Sequence, residues 1–91
     1  MPYDLEGAAA FTALSKQFET TGLSRFELRR VGSIANAVAI QIEEGYGNSE
    51  AVMHLIKALY AVASTYEKAR ASKIAAVIQK MESLVSTMKT K

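Results

Sequence analysis

The residue types able to do chemistry are few in this chain, and their spacing does not bring them together. His54 is the one histidine, and there is no cysteine. That excludes disulfides, thiolate metal sites and Cys–His nucleophiles. A metal site needs several ligands, which a solitary histidine on the polar side of a helix does not supply. A Ser-His-Asp arrangement would also have to use His54, and no nucleophile-elbow motif accompanies it. Glu43 and Glu44 are adjacent, so they do not share a helix face and make a poor acid/base pair. Gly45-Tyr46-Gly47 lacks the preceding strand and the following Gly-Lys-Ser/Thr of a phosphate loop. No catalytic residue, cofactor-binding residue or metal ligand is therefore expected, and the chain reads as a non-enzyme with no cofactor.

The cations are the next candidates. Lys68, Arg70, Lys73 and Lys80 form the best basic cluster, with Lys73 and Lys80 on one helix face. Asp4, Glu6 and Glu19 outweigh Lys16 at the start of the chain, residues 25–44 balance, and the remainder is basic. The overall charge is only +2, too small to argue for nucleic acid by itself. No exposed aromatics alternate with the cluster as base-stacking platforms. A nucleic-acid-binding module using Lys73 and Lys80 is thus the alternative reading. The salt dependence of binding discriminates, because phosphate contacts weaken steeply as salt rises.

The elements that must position these residues are helices. With 49% hydrophobic residues, 22% charged residues and a mean hydropathy of +0.05, the chain is too apolar for a disordered tail. One proline and five glycines in 91 residues are too few breakers for a many-stranded β-sandwich. The length suits a single domain, residues 1–91.

Asp4 is a plausible N-cap, and Leu5, Ala8, Phe11, Leu14 and Phe18 recur at helical spacing, giving a helix over about 5–20. Gly22 ends it. Ser24 and Glu27 read as a capping box for a second helix over about 25–44, with Leu28, Val31, Ala35, Val38 and Ile42 as its stripe. Gly45-Tyr46-Gly47-Asn48 breaks the chain again, and Asn48 or Ser49 is the expected cap of the next helix. From there to Met88 there is no glycine and no proline, which predicts one helix over about 50–88; the alternative is a break near Ser64-Thr65 or Ala71-Ser72, neither pair a strong breaker.

The expected fold is all-α: a three-helix, hairpin-like bundle. The first two helices are laid end to end along the long third one. The apolar sector of that third helix approaches half its circumference, more than a two-helix seam requires. Either the first two helices fold side by side over the third, or a second subunit or helical partner covers the excess; the second solution is expected. The expected interaction surface comprises Phe26 and Ile40, which point away from the stripe of helix two, with Ile56, Tyr60, Ile78 and Val85 on the flank of helix three. Arg70 falls inside that apolar sector. Hairpin counting about the Gly45–Asn48 turn sets it opposite the joint between helices one and two. The Glu27 carboxylate or the last carbonyls of helix one would meet it there, making Arg70 a structural register pin.

Three partial resemblances bear on function. The size, the hairpin and Gly45-Tyr46-Gly47-Asn48-Ser49-Glu50-Ala51 resemble the secreted WxG-type helical hairpins, although the Trp-x-Gly and the C-terminal tyrosine-acid signal are missing. The long C-terminal amphipathic helix is similar to that of type III secretion needle and rod subunits, without their proline-marked turn. Leu28-Arg29-Arg30 and Ile42-Glu43-Glu44-Gly45-Tyr46-Gly47 resemble pieces, differently spaced, of the four-helix-bundle family encoded within ribosomal RNA genes. The first two imply an assembled or exported helical protein, the third an RNA-linked one; none carries over functional residues. The expected function is a non-enzymatic helical interaction or assembly subunit that self-associates through apolar helix faces. An exported secretion-system component is a further alternative. The acidic N-terminus does not read as a targeting peptide. The longest apolar run, Val31 to Ile42, is too short to span a bilayer. A cytoplasmic protein is expected, with signal-less export open.

Overall fold

The computed structural model describes residues 3–88. These form four α-helices and no strand: α1 Leu5–Ser15, α2 Arg25–Glu43, α3 Glu50–Ala63 and α4 Lys68–Ser86, with a 3-10 extension of α1 over Lys16–Thr20. The all-α class follows the sequence reading, and three of its caps are found where the sequence places them. Asp4 accepts from the Gly7 amide at 2.8 Å. Ser24 accepts from the Glu27 amide at 3.1 Å and Ser49 from the Val52 amide at 3.2 Å. Each satisfies one of the amide donors that a helix start leaves open.

Two joints use glycine at positive φ. Gly22 (φ 87°) turns the chain from α1 into α2, and Gly45 (φ 92°) turns it from α2 into α3. At the second joint the Tyr46 amide donates to the Gln41 carbonyl and the Gly45 amide to the Ile42 carbonyl. This is the Schellman closure that a left-handed glycine after a helix permits.

The long third helix is not formed. The chain leaves the helix after Ala63 and resumes at Lys68. Hydroxyls make the break: Ser64 donates to the Ala61 carbonyl and Thr65 to the Val62 carbonyl, each at 2.7 Å. The amides of Thr65 and Tyr66 donate to Val62 and Ala63, three residues back. Ser and Thr compete for carbonyls in this way, so a helix can end without glycine or proline. The return also solves a burial problem, because the apolar faces of α3 and α4 can now cover each other.

The end-to-end arrangement of the first two helices is likewise replaced. The Asp4 amide donates to the Glu43 carbonyl at 3.0 Å, so α1 and α2 lie side by side and antiparallel. Arg70, near the start of α4, lies against Gly22 at the α1–α2 joint, and Met88 lies against Gly47 at the α2–α3 joint. Helix α4 therefore runs parallel to α2 and antiparallel to α1 and α3. Each helix packs on its chain neighbours, and α4 closes the ring on α1. The result is an up-down-up-down bundle with axial extents of 42 × 19 × 16 Å.

One hydrophobic cluster unites the elements: Phe11 and Phe18 from the first, Val31, Val38 and Ile42 from α2, Val52, Ile56 and Leu59 from α3, and Ile74, Ile78, Met81 and Val85 from α4. Ile56, Ile78 and Val85, expected at an interface, are thus in the chain's own core. The sector that called for a second subunit is covered internally. Leu5 moves the other way: expected on the buried stripe of the first helix, it is 65% exposed.

Candidate interaction surface

Among the described residues, the large hydrophobic side chains left in water are Tyr3, Leu5, Phe26, Ile40 and Tyr46. All precede α3. Helices α3 and α4 have none, because their apolar residues face inward. Phe26 is 73% exposed and Ile40 46%. They stand about four helical turns apart on α2, opposite its buried stripe, as the sequence expects. Beside Ile40 runs a shallow groove of about 450 Å³ between α1 and α2. Leu5, Ala9 and Ala13 line it from α1, and Asn36, Ile40 and Glu43 from α2. The alanines keep its floor low, since a methyl group fills little of the space between two helices. The sequence reading missed this groove. Its signal was the run Ala8-Ala9-Ala10 with Ala13, which reads equally well as helix propensity.

Tyr60 does not belong to this surface. It is half-buried, and its hydroxyl donates to Glu82 Oε1 at 2.9 Å across the α3–α4 contact. Burial first, then the Glu82 carboxylate, pushes its pKa up to about 12.

Arg70 is exposed on the first turn of α4, at the Gly22 end of the bundle rather than among the core side chains. Its guanidinium carbon lies 5.6 Å from the centre of the Tyr66 ring, a cation–π distance. Hairpin counting does set Arg70 at the joint it was expected to face, against Gly22. The pairing with Glu27 is absent: among the described residues, neither the Arg70 guanidinium nor the Glu27 carboxylate forms an ion pair or hydrogen bond. Lys73 shares a small surface depression with Arg70, Thr20, Gly22 and Glu67. Lys80 donates to Gln17 Oε1 at 3.2 Å, toward α1. Arg70, Lys73 and Lys80 thus follow one another along the edge where α4 meets residues 17–22, and the nearby Tyr66 ring carries Arg70.

His54 is exposed, with Glu50 one turn before it. No group of three or more metal-ligating side chains occurs among the described residues. No buried side-chain nitrogen or oxygen among them lacks a hydrogen-bond partner, and no helix among them is long and apolar enough to cross a membrane.

No protein-family model, curated protein or solved structure matches this chain.

Proposed function

We propose that the protein is a non-enzymatic helical assembly subunit whose working surface is the outward side of α1 and α2. The observation that carries this reading is the asymmetry of exposed apolar area. Every exposed large hydrophobic among the described residues lies between Tyr3 and Tyr46, while α3 and α4 bury theirs. Concentration of such side chains on one layer marks a surface that meets another protein more often than one adapted to water alone. The partner is a second copy of the chain, and the compartment that fits best is the cytoplasm. Sedimentation velocity across a concentration series tests the reading. Self-association that Ile40→Lys weakens, with the helical circular dichroism unchanged, is the expected outcome. A protein that stays monomeric at high micromolar concentration would reject it.

A further inference from the structure

The outward face of α2 has a pattern of its own. Phe26, Arg29, Ser33, Asn36, Ile40 and Glu43 recur at alternating spacings of three and four, and all six are exposed. That is the spacing of a helix–helix seam. Its charges are segregated. Arg25, Arg29 and Arg30 lie toward the N-terminal end, and Glu43 and Glu44 close the C-terminal end, all of them exposed. None of the five is in an ion pair among the described residues. Arg25 and the two glutamates are also placed against the helix dipole, whose positive end disfavours cations and whose negative end disfavours carboxylates. Between the charged ends the residues are small or short: Gly32, Ser33 and Asn36. A β-carbon on Gly32 would meet nothing within 4 Å, so there is room for a close helix approach at the middle of α2.

We propose that α2 is the seam of a two-fold homodimer in which two α2 helices lie antiparallel across an axis near Asn36. The inference rests on the assembly reading above and names its partner, a second copy, and its geometry. Parallel pairing would set arginines against arginines. Antiparallel pairing brings Arg29 and Arg30 of each copy to Glu43 and Glu44 of the other, relieving at both ends a charge layout that is unfavourable in the single chain. With Arg29 level with Glu43, the same operation carries Phe26 almost one turn further, to the level of Tyr46 on the other copy, just past the Leu5 end of the α1–α2 groove. The most exposed large hydrophobic of each copy thereby comes to lie at the end of the other's α1–α2 groove, twice, as an isologous interface requires. Ile40 then packs over the small central residues of its partner.

Charge reversal tests this directly. Two variants are made, R29E/R30E and E43R/E44R. Each improves the match of α2 to its own helix dipole, so loss of the dimer cannot be ascribed to a weakened helix, and circular dichroism verifies that. By sedimentation, each variant alone is expected to dimerise at least roughly tenfold more weakly than the unaltered protein, from like-charge opposition. An equimolar mixture of the two is expected to form a heterodimer, and the quadruple variant a homodimer. Because the chain has no cysteine, Asn36→Cys offers an independent readout: it should cross-link two copies under mild oxidation, whereas Lys57→Cys on α3 should not. A monomeric unaltered protein overturns this inference together with the assembly reading. A dimer indifferent to the charge reversals, or one that cross-links through position 57 and not 36, overturns the α2 seam and leaves assembly standing.

Discussion

The Tyr60 hydroxyl donates to Glu82 at 2.9 Å, joining the second half of α3 to the second half of α4. The bond explains why an aromatic residue on the flank of α3 does not extend the exposed apolar surface: its ring lies along the bundle and its hydroxyl is occupied by a carboxylate.

Removing that hydroxyl should cost stability without changing the fold. Tyr60→Phe is expected to lower the unfolding free energy by about 1 kcal/mol, the usual net worth of such a hydrogen bond. Urea denaturation followed by circular dichroism measures it.

The same pair predicts an alkaline limit. Tyr60 titrates at about 12 in the folded chain against an ordinary value of 10.0. The unfolded state loses its proton first, so the contribution of protonated Tyr60 is fully present below pH 10 and is lost as pH rises through about 12. The stability difference between the unaltered protein and Tyr60→Phe should therefore be constant at neutral pH and shrink over that window. A difference that stays constant through the window would show that the Tyr60 proton is not linked to folding.

The two left-handed glycines should be the least replaceable residues of the joints. Gly22→Ala and Gly45→Ala should each destabilise by about 1–2 kcal/mol, since an L-residue at positive φ is strained. At Gly22 the new methyl would also stand 3.1 Å from Arg70 Nε. Gly32→Ala, in the interior of α2, should have the opposite sign and add up to about 1 kcal/mol of helix propensity. Thermal melts of the three variants give the ordering.

Helix α4 begins without a side-chain cap. Glu67 has the extended backbone of an N-cap residue (φ −62°, ψ 158°), yet its side chain makes no capping bond. Glu67→Ser should stabilise by about 0.5–1 kcal/mol, and Ser49→Ala at the capped start of α3 should cost a similar amount.

Core and surface assignments separate cleanly by mutation. Ile78→Ala should cost about 2–5 kcal/mol, as expected for a fully buried aliphatic, whereas Phe26→Ala should change monomer stability by less than about 0.5 kcal/mol. Chemical denaturation at low protein concentration distinguishes the two.

The sequence made the helix class, the glycine joints, the serine caps and the exposure of Phe26 and Ile40 legible, because each depends on local patterns. It left the return at Ser64–Glu67 as the lesser alternative for a specific reason. Ala63 and Ile74 are about three helical turns apart, so the apolar sectors of α3 and α4 stay in phase across the break and read as one stripe. Ser64 and Thr65 end the helix through hydroxyl bonds to its carbonyls, and the same residues are tolerated inside helices elsewhere. With the unbroken helix preferred, Ile56, Ile78 and Val85 had no visible partner within the chain and were assigned to an interface. The α1–α2 groove depends on which side of α1 faces α2, and the evenly distributed alanines of α1 leave that rotation undetermined.

The bonds at the Asp4–Glu43 end and the seat of Met88 on Gly47 place both ends of the described chain at one pole of the bundle. Helices α1 and α4 are also neighbours. A short linker from Met88 back to Asp4 would then cross only the width of two adjacent helices, and the chain could be reopened at the exposed Ser64–Thr65 step. Such a circular permutant would keep every helix contact and the whole outward face of α2 while bringing new termini out at the opposite pole. Paired with the original chain, it would let a fused reporter be attached at either pole without touching α2.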